Sequence, residues 1–287
     1  PEEKRAEGFG ILRVVANLSW IIGPTIGGLV FTRSPLVLFV ADAITSLIMA
    51  AIILVRIPET MPEKSPEAKQ ESFGVTLLGY FKVLADKTFI AFMGASILML
   101  LVYLQLYNTL SVYLRDVHGL ESNVYGSLMS LNAFAVVLFQ FWVTRKVSKR
   151  PPLLMMALGA ALYMIGFTMY GFVAGYLMLL LAMIIITFGE MVVMPVSSAF
   201  VAKLAPEEMR GRYMAVFGLS WAIPATFGPT LAGIIIDNYD PNWVWYGGGI
   251  IAALSVAGFL LLHLMTRERL TAGEVEMAID PEPAMGD

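Results

Sequence analysis

Glu190 stands midway along the apolar run 175–203, with Thr187, Met194, Ser197 and Ser198 at −3, +4, +7 and +8. On a helix those offsets share one face, so the run carries a polar stripe with a carboxyl group at its centre. Such a group can carry a proton or recognise a cation; the plainer role is a hydrogen-bonded anchor to a neighbouring helix. Asp42 makes a similar face with Thr45, Ser46 and Met49, but its shallower position favours an interfacial acid bonded to a neighbour. Arg13 and Asn17 lie one turn apart. Arg13 either snorkels to the inner surface or pairs with an acid elsewhere. Neutral polar residues extend the pattern: Gln105 and Asn108 share a face with Tyr103 and Tyr107 beside it, and Asn132 and Gln140 lie eight apart. In apolar helices such stripes point inward, as interhelical bonds or as cavity lining. Aromatic rings, neutral polar groups and one acid suit a small amphipathic, cationic molecule.

Other chemistries find no support. There is no G-x-x-x-x-G-K-[ST] loop, no H-E-x-x-H and no G-x-S-x-G, so no catalytic residue is assigned. No cofactor, metal site or nucleic-acid partner is expected, and the absence of cysteine excludes disulfides. The 18 methionines read first as core or lipid-facing filler, with an adaptable binding surface as the alternative.

The elements that must position these residues are membrane helices. Hydrophobic residues make up 58% of the 287 and charged residues 14%, against roughly 45–50% and 25% in an average soluble domain. Mean hydropathy is +0.75. Eight stretches reach the ~20 residues that a span requires: 8–31, 35–56, 89–114, 123–144, 151–172, 175–203, 212–236 and 243–265. The charged opening PEEKRAEG is unlike a cleavable signal peptide. With the first residues cytoplasmic and the spans alternating, only Arg33 and Arg115 of the 19 basic residues fall outside. That asymmetry sets the orientation, with a cytoplasmic C-terminus. His118 and His263 then lie at opposite surfaces. Residues 57–87 form a polar linker in which Phe73, Leu77, Tyr80, Phe81 and Leu84 recur at helical spacing beside Lys82 and Lys87. They predict an amphipathic helix on the inner leaflet. The acidic tail after Arg269 predicts disorder.

A repeat organises the spans. At an offset of 205 residues, Pro1, Glu2, Glu3 and Arg5 meet Pro206, Glu207, Glu208 and Arg210. Gly23, Pro24, Thr25 and Gly28 meet Gly228, Pro229, Thr230 and Gly233. The copies open spans one and seven, so the unit is six helices and a two-fold repeat predicts twelve. By that symmetry roughly 120 residues are expected ahead of Pro1. Within the motif, Gly23 and Gly27 permit close helix approach, while Pro24 removes a backbone donor and bends the helix. The two copies are candidate hinges.

These segments resemble the major facilitator superfamily. S19-W-I-I-G-P-T-I-G-G28 is similar to the GxxxGPxxGG antiporter motif of its fifth helix, with Ser19 for the first glycine. Residues 188–218 and 114–140 resemble the tenth-to-eleventh and seventh-to-eighth hairpins of drug and proton antiporters. The loop 141–152 keeps the charge of the superfamily's basic motif but not its glycine and acidic positions. The resemblance implies an all-α polytopic membrane protein with the superfamily fold, eight of its twelve helices being present. Residues 1–56 would close an N-terminal six-helix bundle, 57–87 link, 88–266 form the C-terminal bundle and 267–287 the cytoplasmic tail. It further implies a monomeric, multi-pass protein of the cell inner membrane, exporting small amphipathic compounds or drugs against proton flow. Partners would be a small-molecule substrate, protons and the lipid bilayer. The expected substrate and proton pathway comprises Glu190, Gln105, Asn108, Tyr103, Tyr107, Asn132, Asp42, Arg13 and Asn17. Gly23, Pro24, Gly27, Gly28, Gly228, Pro229 and Gly233 form the hinges. Alternatives are a symporter or uniporter for a sugar, peptide or other metabolite, or a non-transporting scaffold or membrane enzyme.

Overall fold

The computed structural model describes residues 34–57, 73–173 and 175–279, with scattered helical positions between 11 and 22. Every regular element among them is helical: α1 (Pro35–Arg56), α2 (Phe73–Ala85), α3 (Lys87–Tyr103), α4 (Gln105–Asn108), α5 (Leu110–Asp116), α6 (Ser122–Val147), α7 (Pro152–Tyr170), α8 (Tyr176–Leu204), α9 (Arg210–Asn238) and α10 (Trp243–Ile279). Proline opens α1 and α7, where its missing N–H is not needed. Asp86 caps α3 by accepting from the Thr88 and Phe89 amides at 2.9 and 3.1 Å.

Seven helices among the described residues are long and apolar enough to cross a membrane, and they coincide with seven of the eight expected spans. The remaining one, 8–31, lies largely outside the described residues, as do Arg13, Asn17, Gly23, Pro24, Gly27 and Gly28. One expectation is corrected. Residues after Arg269 continue α10 as helix to Ile279, because Arg, Glu, Leu, Ala and Met there favour helix over coil.

Helices α6, α8, α7, α10, α3 and α9 pack side by side in that order, and α9 returns to touch α8. None of residues 36–56 in α1 is buried. Lipid tails are as apolar as these side chains, so close backbone approach must hold the bundle together. At the α7–α8 crossing, a Cβ on Gly189 would stand 2.9 Å from the Gly159 carbonyl oxygen, and one on Gly159 would stand 3.1 Å from the Gly189 oxygen. Only glycine permits that contact. Between α10 and α3 the Ser255 hydroxyl donates to the Ala95 carbonyl at 2.8 Å.

The bundle's two ends differ in kind. At one end the Tyr113 hydroxyl bonds the Asn242 side chain and the Tyr170 carbonyl, and Tyr246 donates to the Gly171 carbonyl at 2.6 Å. Tyr113, Tyr170 and Trp245 pack their rings together there, as aromatic residues do at a membrane–water boundary. At the other end Tyr213 donates to Asp86 at 2.9 Å, Arg210 to the Ala202 carbonyl at 3.1 Å, and Lys146 lies 4.0 Å over the Trp142 ring. Helix α2 docks there, burying Gly79 and Val83 while Leu77, Phe81 and Leu84 stay exposed and Tyr80 is half-buried.

Candidate functional site

Glu190 is fully buried in the middle of α8, and Asn132 of α6 is 2% exposed beside it. The Asn132 amide nitrogen lies 2.8 Å from Glu190 Oε2 and 3.0 Å from Thr187 Oγ1. Thr187 in turn donates to the Met183 carbonyl at 2.7 Å, so its oxygen faces the amide as an acceptor. Of the stripe expected on this helix, Thr187, Met194 and Ser197 are buried with Glu190, as are the residues between 189 and 197, and Ser198 is half-buried. Two turns along α6, Gln140 reaches the same helix, its amide nitrogen 3.0 Å from the Met191 carbonyl. A carboxyl group so enclosed can take up or release a proton, or meet a cation, only when the helices around it move.

A second group gathers from α3, α4, α7 and α9. Tyr103 stacks on Tyr163 with centroids 5.3 Å apart, and meets Tyr107 and Trp221 edge-on at 5.6 and 6.1 Å. The Tyr103 and Tyr107 hydroxyls are 3.0 Å apart. Tyr103 and Tyr163 are buried, whereas Tyr107 and Trp221 are half-buried and form the open face of the cluster. Stacked electron-rich rings of this kind attract organic cations. Tyr163 also touches Gly189, so the cluster adjoins the residue next to Glu190.

The third group was unforeseen. The span is broken between Tyr103 and Leu110, where the backbone ladder passes from Leu104 donating to Leu100 to Tyr107 donating to Leu104. Side chains take over the freed carbonyls: Gln105 donates to Leu101 at 3.0 Å, and Tyr125 of α6 to Leu106 at 3.3 Å. Thr109 donates back to Gln105 Oε1 at 2.6 Å. Against this break lies Gly228 of the second glycine–proline segment, where a Cβ would stand 2.9 Å from Gln105 Nε2. The sequence signal for the break is slight: the Asn108–Thr109 pair, two weak helix formers.

The remaining candidates stand apart. Asn108 and Asp42 are exposed, so Asn108 does not share a buried face with Gln105. Pro229 is exposed, and Gly233 is half-buried with no heavy atom within 4 Å of a Cβ built there. Among the described residues no group of three His, Asp or Glu could hold a metal ion.

The family model described as Major Facilitator Superfamily matches residues 1–229 and 174–281. A Na(+), Li(+), K(+)/H(+) antiporter of Planococcus maritimus is 28% identical over 92% of this chain and 67% of its own length. The uncharacterized MFS-type transporter YhjO of Bacillus subtilis is 25% identical over 93% of this chain and 64% of its own. Among solved structures, a POT family transporter in complex with a thioalcohol-conjugated peptide aligns with a TM-score of 0.54 at 15% identity, over 84% of this chain and 55% of that one. The chain thus spans about two thirds of the length of these curated relatives and about half of that structure.

Proposed function

The chain belongs to the Major Facilitator Superfamily, and on that premise we propose that it forms part of a secondary active transporter working by alternating access. Two six-helix bundles rock about a site near the middle of the membrane, and Glu190 couples their motion to protons. The observation that carries this reading is the fully buried Glu190 carboxyl, held at 2.8 Å by an amide from a neighbouring helix. Protonation removes most of the cost of enclosing that group in a closed, dry intermediate. The cargo is a small amphipathic, cationic compound moved outward against inward proton flow. The rings of Tyr103, Tyr107, Tyr163 and Trp221 support that choice.

A second reading is exchange of alkali cations for protons. The similarity to the Planococcus maritimus antiporter across 92% of the chain favours it, and so does the carboxyl and hydroxyl oxygen pair of Glu190 and Thr187. One experiment separates the two. Everted vesicles carrying the full-length protein are energised, and collapse of the proton gradient is followed after adding sodium, lithium or potassium salts, or lipophilic cationic dyes. Dye-triggered collapse supports compound export, and collapse by the salts alone supports cation exchange. Glu190→Gln keeps shape and hydrogen bonding but cannot ionise, so uphill accumulation should be lost while binding survives. Normal accumulation with the usual pH dependence in that variant would reduce Glu190 to an anchor.

A further inference from the structure

Pro195 lies inside α8. A proline offers no N–H to the carbonyl four residues back, and its ring presses against that carbonyl. The orphaned acceptor here is Met191, the residue after Glu190. In hydrocarbon such a carbonyl must find another donor. Gln140 of α6 supplies it at 3.0 Å, and the same nitrogen lies 2.9 Å from Thr144 Oγ1. Both amide hydrogens are therefore directed at acceptors, which decides the orientation of the amide. The side chain is fully buried, and its Oε1 has no hydrogen-bond partner among the described residues. A buried glutamine with its acceptor unused is held for its donor.

We propose that Gln140 is a positioning residue for Glu190. It replaces the hydrogen bond that Pro195 withholds from the α8 ladder and so latches the proline break against α6. Asn132, two turns away on the same face of α6, holds the Glu190 carboxylate at 2.8 Å. The two amides thus grip α8 at consecutive residues, Glu190 and Met191. With the latch closed, α6 and α8 move as one unit. With it open, the part of α8 beyond Pro195 moves apart from the part that carries Glu190. The consequence for transport rests on the reading of Glu190 given above, whereas the latch itself does not.

The absence of cysteine allows a direct test in the full-length protein. A single cysteine at Ser198, half-buried three residues beyond Pro195, reports on that part of α8 through its labelling rate in native membranes. Gln140→Met keeps the volume and removes the donor. It should speed labelling about threefold, the effect of losing an average interhelical hydrogen bond in a membrane protein. Pro195→Ala returns an N–H to Met191, and in that background Gln140→Met should change the rate little. The pH profile of transport should shift in Gln140→Met and return in the double variant. Gln140→Leu serves in the same comparison if the Met variant fails to accumulate. Unchanged labelling, or equal acceleration with and without Pro195, overturns the latch. Coupled labelling with an unmoved pH profile counts for the latch and against Glu190 as the coupling acid.

Discussion

His118 sits under the edge of the Tyr113 ring, with centroids 5.1 Å apart and Nε2 buried without a hydrogen-bond partner among the described residues. Burial holds its pKa below the usual histidine value, because the charged ring would lose its water there. The unfolded chain then takes the proton first as pH falls through about 6.5. Stability is therefore complete above that pH and declines as pH falls from it toward the lower folded value. The melting temperature of the solubilised full-length protein should fall on acidification, and His118→Phe should flatten that slope. An identical slope in the variant would show that His118 is already hydrated. Glu190 is buried more deeply, with the Asn132 amide standing where water would otherwise be. Its type and place in α8 were legible from the residues alone. That Asn132 is its partner was not, because a stripe on α6 has no sequence signal for the helix it faces.

Helices in this bundle are placed by their small residues, and two glycines test how firmly. A Cβ on Gly189 would meet the Gly159 carbonyl and the Tyr163 ring at 2.9 Å. Backbone cannot move aside without parting α7 from α8. Gly189→Ala should therefore destabilise by about 1–3 kcal/mol, the range for overpacked cores. A Cβ on Gly228 meets instead the tip of the Gln105 side chain, which can shift without moving backbone and puts at stake only its bonds with Leu101 and Thr109, about 1 kcal/mol each. Thermal melting of the two variants should rank them in that order, and adding Gln105→Ala should recover part of the Gly228→Ala loss. Equal losses would mean that the crossing is looser than its geometry. The glycine–proline segment of α9 was read as a hinge. In the structure Gly228 lies against the broken span, and Pro229 beside it is exposed.

For the molecule as a whole the two ends make orientation testable. Glu121→Cys and Asp240→Cys, beside the aromatic end, should react with an impermeant thiol reagent added outside intact cells. Lys149→Cys and Glu208→Cys, at the opposite end, should not. The reverse pattern would overturn the assignment made from Lys and Arg placement. By themselves the residues determined the class, the places of seven spans and the helix within the linker. Apolar length and charge are summed along the chain, and lipid responds to those sums. Tertiary structure alone decided three things: that Asn132 and Gln140 both turn to α8, that Gln105 stitches a break against Gly228, and that Tyr163 and Trp221 join the two tyrosines of the third span. The break and the proline at 195 have one consequence, an orphaned carbonyl that any nearby donor can satisfy. Sequence marks the orphan at Met191. Which side chain arrives to meet it depends on how helices distant in sequence cross, and that is set only when the bundle packs.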